Sequence, residues 1–327
     1  MNTILKNPIT EKCAWLGAEL KQCEDWIHHL SDEALEHLDQ TLQQLHAKGL
    51  HAPHFSQQDF NIESVSVLAE FAEIVDEIEN GYGFIVIRGL SVQKYSEQDL
   101  TDLYYGLGLY FGRPVTQNAR GDYIGYVENV GDKNNKSTRV YETNSYLPYH
   151  TDLSDVVGLI CIRKAKAGGL SSLVSAATVY NKILQYYPEY LSYYYHPALC
   201  DHLGDEQPTL TPIFSYYDNK LSCRYMRAYI ELGHERSGMP LSQVQKEALD
   251  IFDRFIQDPE LRLDMMLEPG DMQFCNNYSV MHSRTGFDDY DELEKRRKLL
   301  RLWLQMPNAR RLSPEFPGRN GIEAKAA

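Results

Sequence analysis

The chain is predicted to be mainly β with helical decoration, a sandwich or jelly roll behind an N-terminal helical segment. Two observations predict it. From Gly112 onward, short apolar runs alternate with turns carrying Gly, Asn and Asp, the texture of an all-β domain. Before Gly83, apolar residues recur instead at helical intervals. The 327 residues suffice for one large domain or two ordinary ones. No internal repeat or linker rich in Pro, Gly or Ser is visible, so a single domain is expected. Residues 1–80 form a helical extension packed on the core, 81–306 the β domain, and 307–327 an extended tail.

The first helix runs from a Ser31 cap to Gly49, with Leu35, Leu38, Leu42 and Leu45 at helical spacing. A second stripe, Leu68, Phe71, Val75 and Ile78, stops at Asn80-Gly81. The apolar run Gly83–Leu90 reads as a buried strand. Ser96, with Asp99 three residues later, opens another helix through about Leu107. Strands are then expected at Tyr123–Val127, Val156–Ile162, Leu170–Ser175, Pro212–Tyr217, Lys220–Tyr225 and Asp271–Cys275. The turn Tyr217-Asp218-Asn219-Lys220 is a hairpin signal. A helical insert near 242–257 starts at the capping box Ser242/Gln245 and carries Leu249, Phe252 and Phe255/Ile256. The tail Pro307–Ala327, with Pro314, Pro317, Gly318 and Gly321, has no periodicity.

A net charge of −14 argues against general nucleic-acid binding, because phosphates would be repelled. It leaves room for a small anion in a local arginine pocket. No apolar run approaches membrane-spanning length, and Met1–Lys6 lacks the apolar core of a signal peptide, so a cytoplasmic protein is expected. Six scattered cysteines (Cys13, Cys23, Cys161, Cys200, Cys223 and Cys275) suggest neither disulfides nor a thiolate zinc site. A small-molecule substrate is the expected partner, with homo-oligomerisation left open.

The most informative pattern is His150-x-Asp152. His37-Leu38-Asp39 repeats it, but inside the first helix, where residues i and i+2 diverge. His150 lies instead between Pro148 and the Val156–Ile162 run, where i and i+2 on a strand share a face. His282, in Val280-Met281-His282-Ser283-Arg284, supplies a second imidazole. Two imidazoles and one carboxylate make the facial triad of non-haem iron(II) oxygenases, leaving three coordination sites open. Downstream, Arg297 and Arg301 are expected side by side whether their segment is strand or helix. Such a pair suits a carboxylate. Gly168-Gly169 reads as a turn before Ser171 and Ser172, whose hydroxyls could share that carboxylate inside a barrel.

These residues make the chain resemble the TauD/TfdA-like dioxygenases, the taurine and 2,4-dichlorophenoxyacetate dioxygenase family. The family is the clavaminate-synthase-like branch of the iron(II)/2-oxoglutarate oxygenases. The likeness is carried by Gly83–Gly89, Leu147–Asp152, Gly168–Ser172, Pro269–Phe274, Asn276–Arg284 and Arg296–Trp303. The resemblance implies a double-stranded β-helix with Fe(II) held by His150, Asp152 and His282 at the barrel mouth. It implies that Arg297 holds the distal carboxylate of the cosubstrate 2-oxoglutarate, with Ser172 or Ser171 assisting. Arg301, four residues on, would meet an acidic group of the substrate. Dioxygen then takes the last metal site, and oxidative decarboxylation to succinate and carbon dioxide leads to hydroxylation or desaturation of a C–H bond. An intact Asp152 argues against halogenation, since related halogenases have Gly or Ala there. Lids are expected at Gly112–Leu147 and His196–Thr211. A His2Asp zinc hydrolase leaves the arginine pair unexplained, and a non-catalytic jelly-roll binding protein leaves the intact triad unexplained.

Overall fold

The computed structural model describes residues 4–130, 142–201, 207–316, 318 and 320–323. Parts of both expected lids (131–141 and 202–206), with Met1–Thr3, Pro317 and the last residues of the tail, lie outside the described residues.

Two sheets organise the chain. The major sheet runs in the order Ile27–His29, Phe84–Arg88, Met272–Asn276, Val156–Arg163, Lys298–Gln305. Arg113–Pro114 and Ile124–Glu128 both pair with Lys298–Gln305 at the far edge. The minor sheet is antiparallel, in the order Arg262–Met265, Ser171–Ser175, Val280–Arg284, Leu147–His150.

Strand alternation sorts the apolar residues onto two faces of the major sheet. Ile85, Ile87, Val156, Ile160, Leu300, Leu302 and Leu304 face outward into a core shared with helices Asp32–Ala47, Val65–Asn80 and Glu97–Phe111. Phe84, Val86, Val157, Cys161, Leu299 and Trp303 face inward and meet Leu173 and Val280 of the minor sheet. On the outer face of the minor sheet, Val174 and Met281 are covered by helices Ala176–Tyr186 and Gln243–Ile256. The result is four layers: helices, major sheet, minor sheet, helices. Each buried leucine in such a layer stabilises it by roughly 1.5–3 kcal/mol.

Several sequence expectations hold. Ser31 caps Asp32–Ala47 by accepting from the Ala34 N–H, and both capping boxes form, at Ser96/Asp99 and Ser242/Gln245. The hairpin Phe214–Tyr217/Lys220–Cys223 turns through Asp218 (φ 50°) and Asn219 (φ 61°), a left-handed pair that these residue types tolerate. Others are corrected. The first eighty residues contain a strand, Ile27–His29, which pairs in parallel with Phe84–Arg88; three residues are too few to show a period. Helix Val65–Asn80 buries Val67, Phe71, Ile74 and Ile78, whereas Leu68 is 37% exposed, so the apolar stripe is rotated from the expected one. Ala176–Tyr186, Leu191–Tyr195 and Arg227–Arg236 are helices the sequence pattern concealed. Tyr194 and Tyr195 pack on Phe214 in the helical layer beside the minor sheet.

Candidate active site

Between the two sheets lies a cleft lined by His150, Asp152, His282, Arg284, Arg297 and Arg301. His150 and His282 are direct cross-strand partners in the minor sheet, which brings their ring centroids to 4.3 Å. Asp152 does not sit on the same strand, as the spacing suggested. The strand ends at His150, and Asp152 is held in the following loop. There the Asp152 N–H donates to Asn277 Oδ1 (2.9 Å), and Arg224 Nη1 donates to the Asp152 carbonyl (3.0 Å). The carboxylate nonetheless reaches both rings: His150 Nε2 is 3.8 Å from Oδ1 and His282 Nε2 is 3.7 Å from Oδ2. The decoy also resolves. His37 and Asp39 stay on a helix, where Asp39 pairs with Lys94 and the Tyr95 hydroxyl.

The donor set fits a metal ion. His150 Nδ1–H donates to the Pro148 carbonyl (2.8 Å), which fixes the tautomer and leaves the Nε2 lone pair aimed at the cluster. Burial, and then the neighbouring His282 ring, push His150 down to about 4, so the imidazole is neutral at pH 7. Burial drives Asp152 upward, but Arg301 and the two imidazoles outweigh it and hold the carboxyl well below the usual range. Trp303 Nε1–H donates to Asp152 Oδ2 (3.0 Å), orienting the carboxylate from behind.

At another part of the cleft wall lie two arginines. Arg284 and Arg297 are 5% and 7% exposed, and their guanidinium carbons sit 4.7 and 5.1 Å from the Phe287 ring centroid. Neither forms an ion pair among the described residues, and Arg284 Nε and Nη1 and Arg297 Nη1 have no hydrogen-bond partner there. Arg284 Nη2 donates to the Thr143 carbonyl (3.0 Å) and to that of Ser145. Burial lowers both guanidinium groups to about 10, with Arg297 adding to the effect on Arg284. Both therefore stay cationic at neutral pH, two like charges beside one ring with donors to spare and Asp289 partly offsetting them.

This geometry corrects the expected arginine pair. The strand begins at Lys298 with a register shift at Lys298/Leu299, so Arg297 stands outside it, its guanidinium by the same Phe287 ring as that of Arg284. Arg301 lies four residues on, roughly 13 Å along an extended chain. Its Nη1 is 4.0 Å from Asp152 Oδ2, its guanidinium lies over Trp303, and its Nε donates to Gln117 Oε1 (2.7 Å). Gln117 also donates to the Arg301 carbonyl (2.8 Å), so one buried amide fixes both ends of that residue. The turn Gly168-Gly169 has φ +74° at both positions, and a Cβ on Gly169 would come within 3.3 Å of Arg297 Nε. Glycine here permits both the turn and the arginine beside it.

The serines separate by strand alternation. Ser171 pairs across the sheet with Arg284, lines the cleft and donates to Gln273 Oε1 (2.9 Å). Ser172 points to the opposite face, donating to Asp264 Oδ1 (2.5 Å) and accepting from the Tyr149 hydroxyl (2.5 Å). That orientation takes Ser172 out of the cleft. Sequence reasoning missed Arg284, Gln117, Trp303 and Gln273 as cleft groups or their supports. Arg284 had a signal, being two residues from His282 on a strand and hence on its face.

Residues 42–303 match the family described as Taurine catabolism dioxygenase TauD, TfdA family. The chain belongs to the TauD/TfdA family. This TauD/TfdA chain is similar to FR-33289 synthase of Streptomyces rubellomurinus, at 32% identity over 327 residues, 97% of this chain and 95% of the relative. A taurine hydroxylase-like protein of Stachybotrys chartarum is 29% identical over 311 residues, 91% of this chain and 80% of that protein. Among solved structures, asparagine oxygenase in complex with Fe(II), hydroxyasparagine and succinate shares the fold. Its TM-score is 0.68 at 14% identity, over 85% of this chain and 93% of that one. Fe(II), 2-oxoglutarate and dioxygen are the cofactors of the TauD/TfdA family. Among the described residues, no helix is long and apolar enough to cross a membrane.

Proposed function

We propose that this chain is an Fe(II)/2-oxoglutarate-dependent dioxygenase that hydroxylates, or desaturates, a small molecule carrying an acidic group. In this reading the two sheets are the halves of a double-stranded β-helix, and His150, Asp152 and His282 hold the iron. The observation that carries it is the buried pair Arg284/Arg297, cationic, with unpartnered donors and no direct ion pair among the described residues, in the same cleft as two imidazoles and a carboxylate. A dicarboxylate cosubstrate satisfies both ends of that cleft at once. A hydrolytic zinc site gives the arginine pair nothing to hold.

Bound at the triad, Fe(II) supplies dioxygen activation and the oxidative decarboxylation of 2-oxoglutarate to succinate and carbon dioxide. The chain's own residues do the positioning. Arg297, with Arg284 on the same wall, grips the distal carboxylate, and the Ser171 hydroxyl turns from Gln273 Oε1 to donate to the same end. Trp303 and Arg301 keep Asp152 anionic and oriented, and the retained carboxylate favours oxygenation over halogenation. Arg301, anchored by Gln117 beside the triad, is the cation that would meet an acidic group of the substrate. The name of the taurine hydroxylase-like relative is consistent with an anionic substrate.

The test is anaerobic addition of Fe(II) and 2-oxoglutarate, read by the visible metal-to-ligand charge-transfer band. It is followed by a succinate-release screen over amino acids, sulfonates and aryl or alkyl carboxylates. No band and no succinate with any of them would sink the reading. Two finer outcomes are expected. Ser171→Ala raises the Kd for 2-oxoglutarate roughly 2- to 10-fold, the worth of one neutral hydrogen bond, while Ser172→Ala leaves it unchanged. Arg301→Ala raises the substrate KM roughly 10- to 100-fold with little change in 2-oxoglutarate affinity, as expected for losing a charged hydrogen bond. If Arg301→Ala weakened 2-oxoglutarate instead, the arginine roles would be exchanged.

A further inference from the structure

A second cluster of ligand-type side chains lies in the helical layer behind the major sheet, away from the cleft. Asp102, on Glu97–Phe111, is fully buried. Its Oδ1 accepts from the Ala52 N–H (2.7 Å) and from Gln98 Nε2 (3.0 Å). Its Oδ2 is left to two imidazoles, His51 Nδ1 at 2.8 Å and His46 Nε2 at 3.8 Å. Asp99 Oδ1 stands 3.2 Å from the same His46 Nε2, while its Oδ2 accepts the Ser96 N–H (2.9 Å). Each carboxylate thus has one oxygen anchored by the protein and the other turned toward imidazole nitrogen. Such anchoring is how proteins orient carboxylates that ligate metals.

The spacing is informative. Tetrahedral zinc, with bonds of about 2.0–2.2 Å, places neighbouring donors about 3.3–3.6 Å apart. The observed separations from Asp102 Oδ2, 2.8 Å to His51 and 3.8 Å to His46, bracket that range. The donors also come from separate pieces of chain: His46 from the end of Asp32–Ala47, His51 from the loop after it, and Asp102 from Glu97–Phe111. Side-chain exposures of 40% for His46 and 49% for His51 leave an entry path for an ion.

We infer that His46, His51 and Asp102, with solvent in the fourth position, bind a divalent transition metal of the zinc type that clamps the N-terminal helices together. The ordinary alternative is two imidazoles hydrogen-bonded to a buried carboxylate, which takes up no metal. Cobalt(II) distinguishes them, because a four-coordinate site gives intense visible bands and a six-coordinate facial triad gives weak ones. The wild-type chain is expected to bind two Co(II) ions. The double variant His150→Ala/His282→Ala should keep one ion and the intense bands. His46→Ala and His51→Ala should each lose those bands and keep the cleft ion, whose retention also shows that the fold survives. Zinc should raise the melting temperature of His150→Ala/His282→Ala and have no such effect once His51→Ala is added. The inference is overturned if His150→Ala/His282→Ala binds no Co(II), or if the intense bands persist in His51→Ala.

Discussion

Replacing His150 with alanine is expected to abolish iron(II) retention and succinate formation together, while the chain keeps its fold. His150 and His282 face each other across one strand pair, so removing either ring would leave two ligands where a facial triad needs three on one face of the octahedron. Changing a group that merely orients a ligand costs about 10- to 100-fold in metal affinity, and loss of a ligand costs more. Trp303→Phe provides the graded control, since it removes the indole N–H on Asp152 Oδ2 while keeping most of the ring's packing. It is expected to weaken iron by roughly 10- to 100-fold. Anaerobic titration followed by the charge-transfer band measures both. Wild-type succinate release from His150→Ala would remove this residue from the metal site.

Arg284→Met is expected to move two properties in opposite directions. With 2-oxoglutarate bound, Arg284 adds a charged hydrogen bond worth about 1.5–3 kcal/mol, so its loss raises the Kd roughly 10- to 100-fold. Without the ligand, the same side chain is a buried cation that feels the charge of Arg297. An apolar residue of similar length there removes the repulsion and the desolvation, and the ligand-free melting temperature should rise by a few degrees, about 1–2 kcal/mol. Arg297→Ala weakens 2-oxoglutarate at least as much. Melting curves with and without 2-oxoglutarate read both effects, because a ligand that binds only the folded chain stabilises it by mass action. A variant that melts lower without ligand and binds 2-oxoglutarate normally would mean that Arg284 serves only its contacts to Thr143 and Ser145.

What was legible in the chain follows the range of the physics. His150, Asp152 and His282 stood out because each lies in a local pattern whose period separates strand from helix. The mainly β texture after Gly112 was legible for the same reason. Ser171 and Ser172 could not be told apart, since adjacent strand residues face opposite ways and the choice depends on register with Val280–Arg284. The arginine pairing failed because the strand starts one residue after Arg297 and shifts register there, a tertiary event without a local signature. Gln117 lies in an irregular segment, where a polar residue carries no positional information. Helices such as Ala176–Tyr186 were hidden by tyrosines and small residues that blur the apolar stripe.

Strand Lys298–Gln305 has both faces committed, with Leu300, Leu302 and Leu304 under the helices and Leu299, Arg301 and Trp303 toward the cleft. A deletion or insertion of one residue within it would swap those faces, driving a guanidinium into the leucine layer and leucines into the site. Descendants of this chain can therefore alter the strand by point substitution alone. New substrates must be acquired by lengthening, shortening or rewriting the loops at the rim, where changes in length leave the strand register untouched.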